Sequence, residues 1–280
     1  MNTRVAAPLG KPIPRHRQPH DISVEVTELL DALTDGLGEI MGDRLVGAYL
    51  FGSATTDDFD RESDVDVVVV TADEISHEAF AALKAMHARI AAIDSWCATQ
   101  LEVSYIPRRA IRRYDPSDAL HPRLDRGTGE ALRLMQHGAD WVVQRHLIRE
   151  RGVALLGSPA STFIDAVSPD DMRRAMRELW QQWLAPLVEN PPHVRTRGYQ
   201  SFIVLSVCRI LYTLEHGDVL SKRAAASWGE QTLDARWAPL IRGAWTGRQN
   251  QAAAPLPEDL NETWRFIRYA TSDFIDNEHP

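Results

Sequence analysis

Cysteine is scarce in this chain of 280 residues: its two cysteines, Cys97 and Cys208, lie far apart and form no CxxC pair. Neither a disulfide framework nor a zinc site is indicated, and we expect both cysteines to be buried packing residues. The chain also lacks any apolar run of the roughly 18–20 residues that a membrane helix needs. Its N-terminus lacks the apolar core of a signal peptide. These absences predict a cytoplasmic protein without a membrane partner.

Acidic residues are absent from residues 1–20, which carry Arg4, Lys11, Arg15 and Arg17. This stretch is predicted to be a disordered basic leader, with a partner-binding tail as the alternative. The net charge is −8, and leaving out these four basic residues gives 27 basic against 39 acidic side chains, or about −12, for the rest. An acidic surface repels a phosphate backbone. The charge therefore argues against extended nucleic acid as a partner and favours a cationic small molecule.

The first part of the chain alternates between helical and strand patterns. A helical pattern follows Asp21 as a candidate cap, and a second helix is predicted between the last two strands, at 73–94. The segments rich in β-branched and aromatic residues are predicted strands: 44–51, 64–70 and 101–106. The crossover through the second helix lets the last two strands lie side by side in one sheet. An α/β domain over 21–127 is therefore expected.

The remaining segments show mainly helical patterns. Residues 107–127 hold six arginines among Pro, Asp and Gly, and are predicted to form a linker or a lid. From 128 onward we expect an all-α helical bundle up to residue 280, in which "VALLG" (153–157) adds an edge strand or a buried turn. Its predicted helices are 139–152, one from Ser168 toward Pro191, 198–217, 221–232, 234–246 and 257–276.

Two carboxylates stand at the head of a predicted buried strand in the segment "FGSATTDDFDRESDVDVVVV" (51–70). In an extended strand Asp64 and Asp66 lie on one face, about 6.5 Å apart. Their repulsion at an effective dielectric constant near 20 is roughly 2–3 kcal/mol, which a cation would relieve. Mg²⁺ fits, because it binds one or two carboxylates and completes its shell with water and phosphate oxygens.

A third carboxylate, Glu102, falls on the strand that the crossover places in the same sheet. It is a candidate ligand or general base. Gly52 and Ser53 end the first strand with a turn that lets a phosphate approach backbone N–H groups. The alternative is an edge strand with its carboxylates in solvent, which the valine run 67–70 argues against because it indicates a strand covered on both faces. The remaining acidic residues of the spacer are expected to be solvated: Asp57, Asp58, Asp60 and Glu62.

This pattern over 44–106 resembles the nucleotidyltransferase superfamily, whose signature is GS, a spacer and DxD leading a strand, with a third acid on a later strand. The resemblance implies an α/β nucleotidyltransferase domain, a mixed sheet with flanking helices, followed by the helical C-terminal domain. It also implies that Asp64 and Asp66 hold Mg²⁺, with ATP as co-substrate. By the same resemblance Ser53 and Ser63 help to hold the triphosphate.

The second half is similar to the helical domain of the streptomycin/spectinomycin adenylyltransferases. The similarity lies in "VALLG", in 205–228 and in "RGAWTG" (242–247). It implies that Glu102 is the general base that deprotonates the drug hydroxyl. The residues that it implies for nucleotide binding are Arg209 and Lys222 at the triphosphate, Asp140, and Trp245 where the family usually has a tyrosine.

The resemblance predicts transfer of AMP from ATP to a hydroxyl of an aminoglycoside-type antibiotic, conferring resistance. Tyr199 stands where streptomycin-modifying members have an acid. Spectinomycin, another aminoglycoside or an unrelated hydroxyl substrate therefore stays open. Two further alternatives are a nucleotidyltransferase that modifies a protein or a tRNA end, and a nucleotide-binding regulator without catalysis.

Overall fold

A computed structural model of the protein describes residues 22–189, 191 and 194–275. The predicted disordered leader, residues 1–20, and the candidate cap Asp21 lie outside the described residues. The first helix, α1 (Val24–Met41), is capped by Ser23, whose hydroxyl accepts a hydrogen bond from the N–H of Val26 at 3.4 Å. The predicted helix is therefore present and begins behind a serine cap.

The described residues form two compact units, which alternate along the chain. The unit that contains the sheet, called the sheet unit here, comprises the described residues of Met1–Thr55, Ser63–Gln136 and Leu147–Asp165. The other, called the helical unit, comprises the described residues of Thr56–Glu62, His137–His146 and Ala166–Pro280. The single domain boundary expected from the sequence, between an α/β domain that ends at residue 127 and a helical domain that begins at residue 128, stays a prediction.

The sheet unit is built on six strands in the order β5-β4-β3-β2-β1-β6. Strands β2 and β3 are parallel, whereas the other neighbouring pairs are antiparallel, so the sheet is mixed as predicted. Its elements after α1 are β1 (Leu45–Phe51), β2 (Val65–Thr71), α2 (His77–Ala91), β3 (Leu101–Pro107), α3 (Arg108–Arg112), β4 (Leu120–Leu124), β5 (Arg133–Gln136) and β6 (Val153–Leu156). Helix α4 (Asp140–Arg151), between β5 and β6 in the chain, is divided between the units: residues 140–146 belong to the helical unit and residues 147–151 to the sheet unit.

Strand β2 lies in the middle of the sheet, between β1 and β3. Val67 is 1% exposed and Val68, Val69 and Val70 are fully buried, which confirms a strand covered on both faces. A polar side chain on such a strand loses hydration, so its charge needs a partner. Cys97 is buried as well, as is Cys208 in the helical unit, and both are free thiols, as expected.

The expectation of a connecting loop over residues 107–127 is wrong. Residues 108–112 form α3, and residues 120–124 form β4, which pairs with β3. Strand β5 falls in a region predicted to be helical, and β6 takes up the edge position considered for "VALLG". Strand β4 carries Pro122 and Arg123 in place of a β-branched run, so its strand state depends on pairing with neighbours.

The helical unit consists mainly of helices packed around α7. The helices are α5 (Pro169–Leu179), α6 (Ala185–Glu189), α7 (Arg197–His216), α8 (Lys222–Thr232), α9 (Ala238–Gly247) and α10 (Pro257–Ala270). Helix α7 contacts α5, α8, α9 and α10. It ends at Gly217, whose φ of 68° permits the left-handed cap that closes a helix. Within the described parts of the chain, no helix is both long enough and apolar enough to cross a membrane.

Candidate active site

Asp64 directly precedes β2, and Asp66 is the second residue of this strand. Val65 and Val67, the residues that alternate with them, are 0% and 1% exposed. The Asp64 side chain keeps 21% of its surface exposed, and Asp66 is half-buried. The two carboxylates therefore share one face of the strand, while the valines pack on the other.

Glu102 is brought beside the pair by the parallel register of β2 and β3, in which Asp66 is paired with Glu102. Adjacent strands lie about 4.8 Å apart, so three carboxylates gather at one end of two strands. Burial and the nearby charge of Asp64 raise the pKa of Glu102, and Arg123 opposes this effect. A carboxylate with a raised pKa is a better proton acceptor, as general base catalysis requires.

The Gly52–Ser53 turn packs against the same carboxylates. Gly52 has a φ of 70°, and a Cβ atom at this position would overlap Oδ2 of Asp66. The hydroxyl of Ser53 donates to the backbone oxygen of Asp64 at 3.5 Å, and Ser63 is buried. The residues predicted from the sequence for the sheet unit are thus brought together around the start of β2.

Two arginines also reach this cluster, and the sequence reasoning missed both. Arg126 forms an ion pair with Asp64, and Nη2 of Arg123 donates to Oε2 of Glu102 at 2.7 Å. Both arginines belong to the stretch that was expected to be a linker or lid. The signal that could have found them is "RLDR" (123–126), which places two cations around Asp125.

In the helical unit, Asp140 and Arg209 line one pocket of about 300 Å³. Asp140 is the first residue of α4, and Arg209 lies on α7, where its Nε donates to the backbone oxygen of Leu220 at 3.1 Å. The pocket wall also contains two large aromatic side chains, Trp183 and Phe202, with ring centres 5.4 Å apart. The pocket therefore combines an acid, a cation and flat apolar surfaces.

Lys222 is the first residue of α8, and its Nζ lies 5.7 Å from the ring centre of Phe202 in the pocket wall. Trp245, by contrast, lies on α9 with the guanidinium of Arg248 4.6 Å from its ring centre. Arg248 forms two hydrogen bonds with the carboxylate of Asp60, at 3.1 and 3.2 Å. Asp60 is therefore ion-paired, which corrects the expectation that it is merely solvated.

Comparisons with known proteins agree with this arrangement. A family model described as "Nucleotidyltransferase domain" matches residues 35–121. A second, described as "Aminoglycoside adenylyltransferase, C-terminal domain", matches residues 162–273. The chain is an aminoglycoside adenylyltransferase-like nucleotidyltransferase. Asp64, Asp66 and Glu102 fall within the first match, whereas Arg123 and Arg126 lie outside both.

Relatives of this nucleotidyltransferase include a spectinomycin 9-adenylyltransferase of Staphylococcus aureus, 26% identical over 222 residues, or 76% of this chain and 81% of the relative. An aminoglycoside (3'') (9) adenylyltransferase of Rhizobium radiobacter is 30% identical over 123 residues, which is 43% of each chain. The crystal structure of spectinomycin adenyltransferase AAD(9) from Enterococcus faecialis with ATP and spectinomycin has a TM-score of 0.66 and 14% identity, and the match covers 88% of this chain and 99% of that one. This likeness shows the shared fold.

The donor set of this nucleotidyltransferase fits a magnesium ion. Among the described residues, no group of three or more His, Cys, Asp or Glu side chains is arranged to hold a metal ion. Mg²⁺ needs less than that, because it uses one or two carboxylates and takes its other ligands from water and phosphates. Asp64 and Asp66 supply two hard oxygen donors on one face. The ion pair of Asp64 with Arg126 indicates that this position already requires a positive charge.

Proposed function

We propose that the protein transfers AMP from ATP to a hydroxyl group of an aminoglycoside-type antibiotic, spectinomycin or a related compound, and thereby confers resistance. The acceptor oxygen forms a bond to the α-phosphorus, the bond from this phosphorus to the β-phosphate oxygen breaks, and pyrophosphate leaves. The observation that carries the proposal is the pairing of Asp66 with Glu102 beside Asp64, in a chain whose two halves match nucleotidyltransferase and adenylyltransferase domains.

Asp64 and Asp66 are the proposed magnesium ligands. When bound, the ion supplies positive charge that orients the triphosphate and neutralises charge on the departing pyrophosphate. The aspartates themselves define one side of the reaction centre, because their strand is held between β1 and β3. Such a rigid position favours catalysis, since reacting groups must be held close to their productive geometry.

Glu102 is the proposed general base. Its carboxylate accepts the proton of the acceptor hydroxyl as the oxygen attacks the α-phosphorus. The raised pKa of Glu102, caused first by burial and then by the charge of Asp64, supports this role. The side chain is held by a strand in the interior of the sheet, so its direction is restricted before the substrate arrives.

Several residues are proposed to bind the nucleotide. Gly52, Ser53 and Ser63 would hold phosphate oxygens, since the turn beside Asp66 offers backbone N–H groups and hydroxyls. We also assign Asp140 and Arg209, which line one pocket, and Lys222, which lies near the aromatic wall of that pocket, to nucleotide binding. The assignment of Trp245 rests on the family resemblance alone.

The acceptor is proposed from the relatives and from the charge. The S. aureus relative is named for spectinomycin, and the solved structure contains ATP and spectinomycin. The acidic composition of the chain favours a cationic ligand. Tyr199, which is 39% exposed, replaces the acid of the streptomycin-modifying members, and therefore spectinomycin ranks above streptomycin as the acceptor to test.

A substrate panel tests the proposal. The protein is incubated with Mg-ATP and, separately, spectinomycin, streptomycin and other aminoglycosides, and pyrophosphate release and the mass of the drug are measured. The expected result is pyrophosphate release with an added AMP on spectinomycin. In a parallel experiment the protein is added to a cell extract with α-labelled ATP. If protein or tRNA becomes labelled while the drugs stay unmodified, the acceptor is a macromolecule. ATP binding without any pyrophosphate release would indicate a regulator and overturn the proposal.

Resistance is tested separately in cells. Expression of the protein in a susceptible bacterium should raise the minimal inhibitory concentration of spectinomycin, and the Glu102→Gln variant should not. If the protein modifies the drug in vitro but the inhibitory concentration does not change, the proposed AMP transfer stands and the proposed role in resistance is refuted.

A further inference from the structure

Strands β4 and β5 and the loop between them supply a chain of alternating charges that ends at Glu102. Nη2 of Arg123 donates to Oε2 of Glu102, and Nε of Arg123 donates to Oδ1 of Asp125, each at 2.7 Å. Oδ2 of Asp125 accepts from Nη2 of Arg133, also at 2.7 Å. Arg133 in turn pairs with Glu130. Five charged side chains thus alternate in sign from the interior of the sheet to its edge.

The register of the strands explains why Arg123 faces Glu102. Ser104 of β3 is paired with Arg123 of β4. Glu102 and Ser104 lie on one face of β3 because side chains alternate along a strand, and Arg123 shares this face as a diagonal neighbour of Glu102. Arg123 is also directly paired with Arg133 of β5. Asp125 lies between these two like charges and binds both, which makes its position electrostatically favourable.

Burial separates the inner members of this chain from the outer ones. The side chains of Glu102, Arg123 and Asp125 are 20%, 23% and 25% exposed, whereas Arg133 is 47% exposed. Charged hydrogen bonds that are shielded from water are stronger and more directional than those at the surface. The guanidinium of Arg123 is planar and is held at two of its nitrogens, so Asp125 determines the direction from which it meets Glu102.

We propose that Arg123 is a positioning residue for Glu102, and that Asp125 acts through Arg123 by fixing the orientation of its guanidinium. Because Arg123 takes Oε2, the carboxylate presents Oε1 to the acceptor hydroxyl. The inference rests on the proposed role of Glu102 as general base. It assigns a function to β4 and β5, which bring Arg123 and its partners to the third carboxylate. Arg123, Asp125 and Arg133 all lie outside the ranges matched by the family models.

The test compares Arg123→Gln, Arg123→Lys and Asp125→Asn by steady-state pyrophosphate release with Mg-ATP and the acceptor that the substrate panel identifies. Arg123→Gln should lower kcat on the order of 10- to 100-fold with an unchanged KM for ATP, because the base is misdirected while nucleotide binding is intact. Arg123→Lys should restore part of kcat, since an ammonium group can bind Oε2 but cannot bind Asp125 in the same plane. Asp125→Asn should lower kcat less, and the double variant with Arg123→Gln should be no slower than Arg123→Gln alone.

Arg109→Gln is the matched control. Arg109 belongs to α3 and pairs with Glu74 and Asp118, with 54% of its side chain exposed. Its replacement removes a guanidinium from an ion-pair network outside the site and should leave kcat unchanged. Thermal unfolding of each variant checks the fold. If Arg123→Gln does not fold, Arg123→Lys and Asp125→Asn decide the question with the same kinetic readout.

The outcomes separate the inference from the function on which it rests. A raised KM for ATP with an intact kcat would make Arg123 a nucleotide contact, and an unchanged kcat would remove its role altogether; either overturns the inference. Multiplicative losses in the Arg123/Asp125 double variant would show that Asp125 acts independently. Glu102→Gln is measured in parallel: wild-type activity in this variant would refute the base assignment itself, whereas an inactive Glu102→Gln with a fully active Arg123→Gln would refute only the inference.

Discussion

Gly52 and Asp66 are in such close contact that a Cβ atom at position 52 would overlap Oδ2 of the aspartate. Gly52→Ala should therefore displace the Asp66 carboxylate and lower kcat by about 100-fold, because shifts of about 1 Å at a reaction centre have effects of this size. The positive φ of 70° adds backbone strain of about 1–2 kcal/mol. Pyrophosphate release and urea unfolding measure the two effects.

Gly129→Ala separates strain from displacement. Gly129 has a φ of 84°, but a Cβ atom there would have nothing within 4 Å. The free energy of unfolding of this variant should fall by about 1–2 kcal/mol because of backbone strain, and its activity should equal that of the wild type. Equal activity losses in the two variants would show that the contact between Gly52 and Asp66 has no catalytic importance.

The paired aspartates are expected to be individually essential. Asp64→Asn and Asp66→Asn should each abolish AMP transfer while the fold is retained, because each removes a charged oxygen donor for the magnesium ion. Arg126, the partner of Asp64, is 37% exposed, so it can be hydrated when its partner loses charge. Mg-ATP should raise the melting temperature of the wild-type protein and should raise it less in both variants.

Asp57→Asn is the corresponding control. Asp57 is an exposed residue of the spacer between Ser53 and Asp64. Its variant should keep both the activity and the stabilisation by Mg-ATP. If both single variants, Asp64→Asn and Asp66→Asn, retain turnover, the assignment of these residues to the metal is refuted.

The main strands were predictable because their signals are local. β2 and β3 are β-branched segments flanked by turns, and the acids Asp66 and Glu102 each stand second in their strand. Once a parallel crossover is assumed, their proximity follows. β4 was not predictable in this way, because Pro122 and Arg123 mask its pattern, and its strand state arises from pairing with β3. The ion pairs of Arg123 and Arg126 depend on that pairing.

The helical unit shows the same limit of sequence reasoning. The caps at Ser168, Ser221 and Gly217 are local signals, and each is present in the structure. The pocket that contains Asp140 and Arg209 is formed by residues distant in sequence, so its lining depends on helix packing. The pairing of Asp60 with Arg248 is likewise a tertiary contact, which no spacing in the spacer reveals.

Glu102 makes a prediction about pH. Since burial and the charge of Asp64 raise its pKa, kcat/KM should fall on the acidic side with an inflection above the value of about 4.3 that is usual for glutamate. Below this inflection Glu102 is protonated and cannot accept the hydroxyl proton. Glu102→Gln should lower kcat by about 10²- to 10⁴-fold, the usual contribution of a general base.

Glu78→Gln serves as the control for this change, because Glu78 is exposed in the first turn of α2. It should retain both the wild-type rate and the acidic inflection. If the residual kcat/KM of Glu102→Gln falls on the acidic side with the same inflection as the wild type, a group other than Glu102 causes this inflection.

A buried histidine predicts how stability depends on pH. Nε2 of His87, on α2, lies 2.6 Å from the hydroxyl of Tyr105 on β3, and both side chains are buried. Burial lowers the pKa of His87 to about 4, whereas an unfolded histidine titrates near 6.5. Between these values the unfolded chain binds a proton that the folded protein does not, so the free energy of unfolding should fall by up to about 1.4 kcal/mol per pH unit as the pH is lowered.

Urea unfolding of the wild type and of His87→Gln from pH 7 to pH 4.5 measures this contribution. Carboxylates titrate over the lower part of this range in both proteins, so the difference between the two slopes isolates His87. The slope should be smaller in His87→Gln. His77→Gln, which changes an exposed histidine at the start of the same helix, should keep the wild-type slope. If the slopes of His87→Gln and the wild type coincide, the buried histidine does not remain neutral in the folded protein over this range.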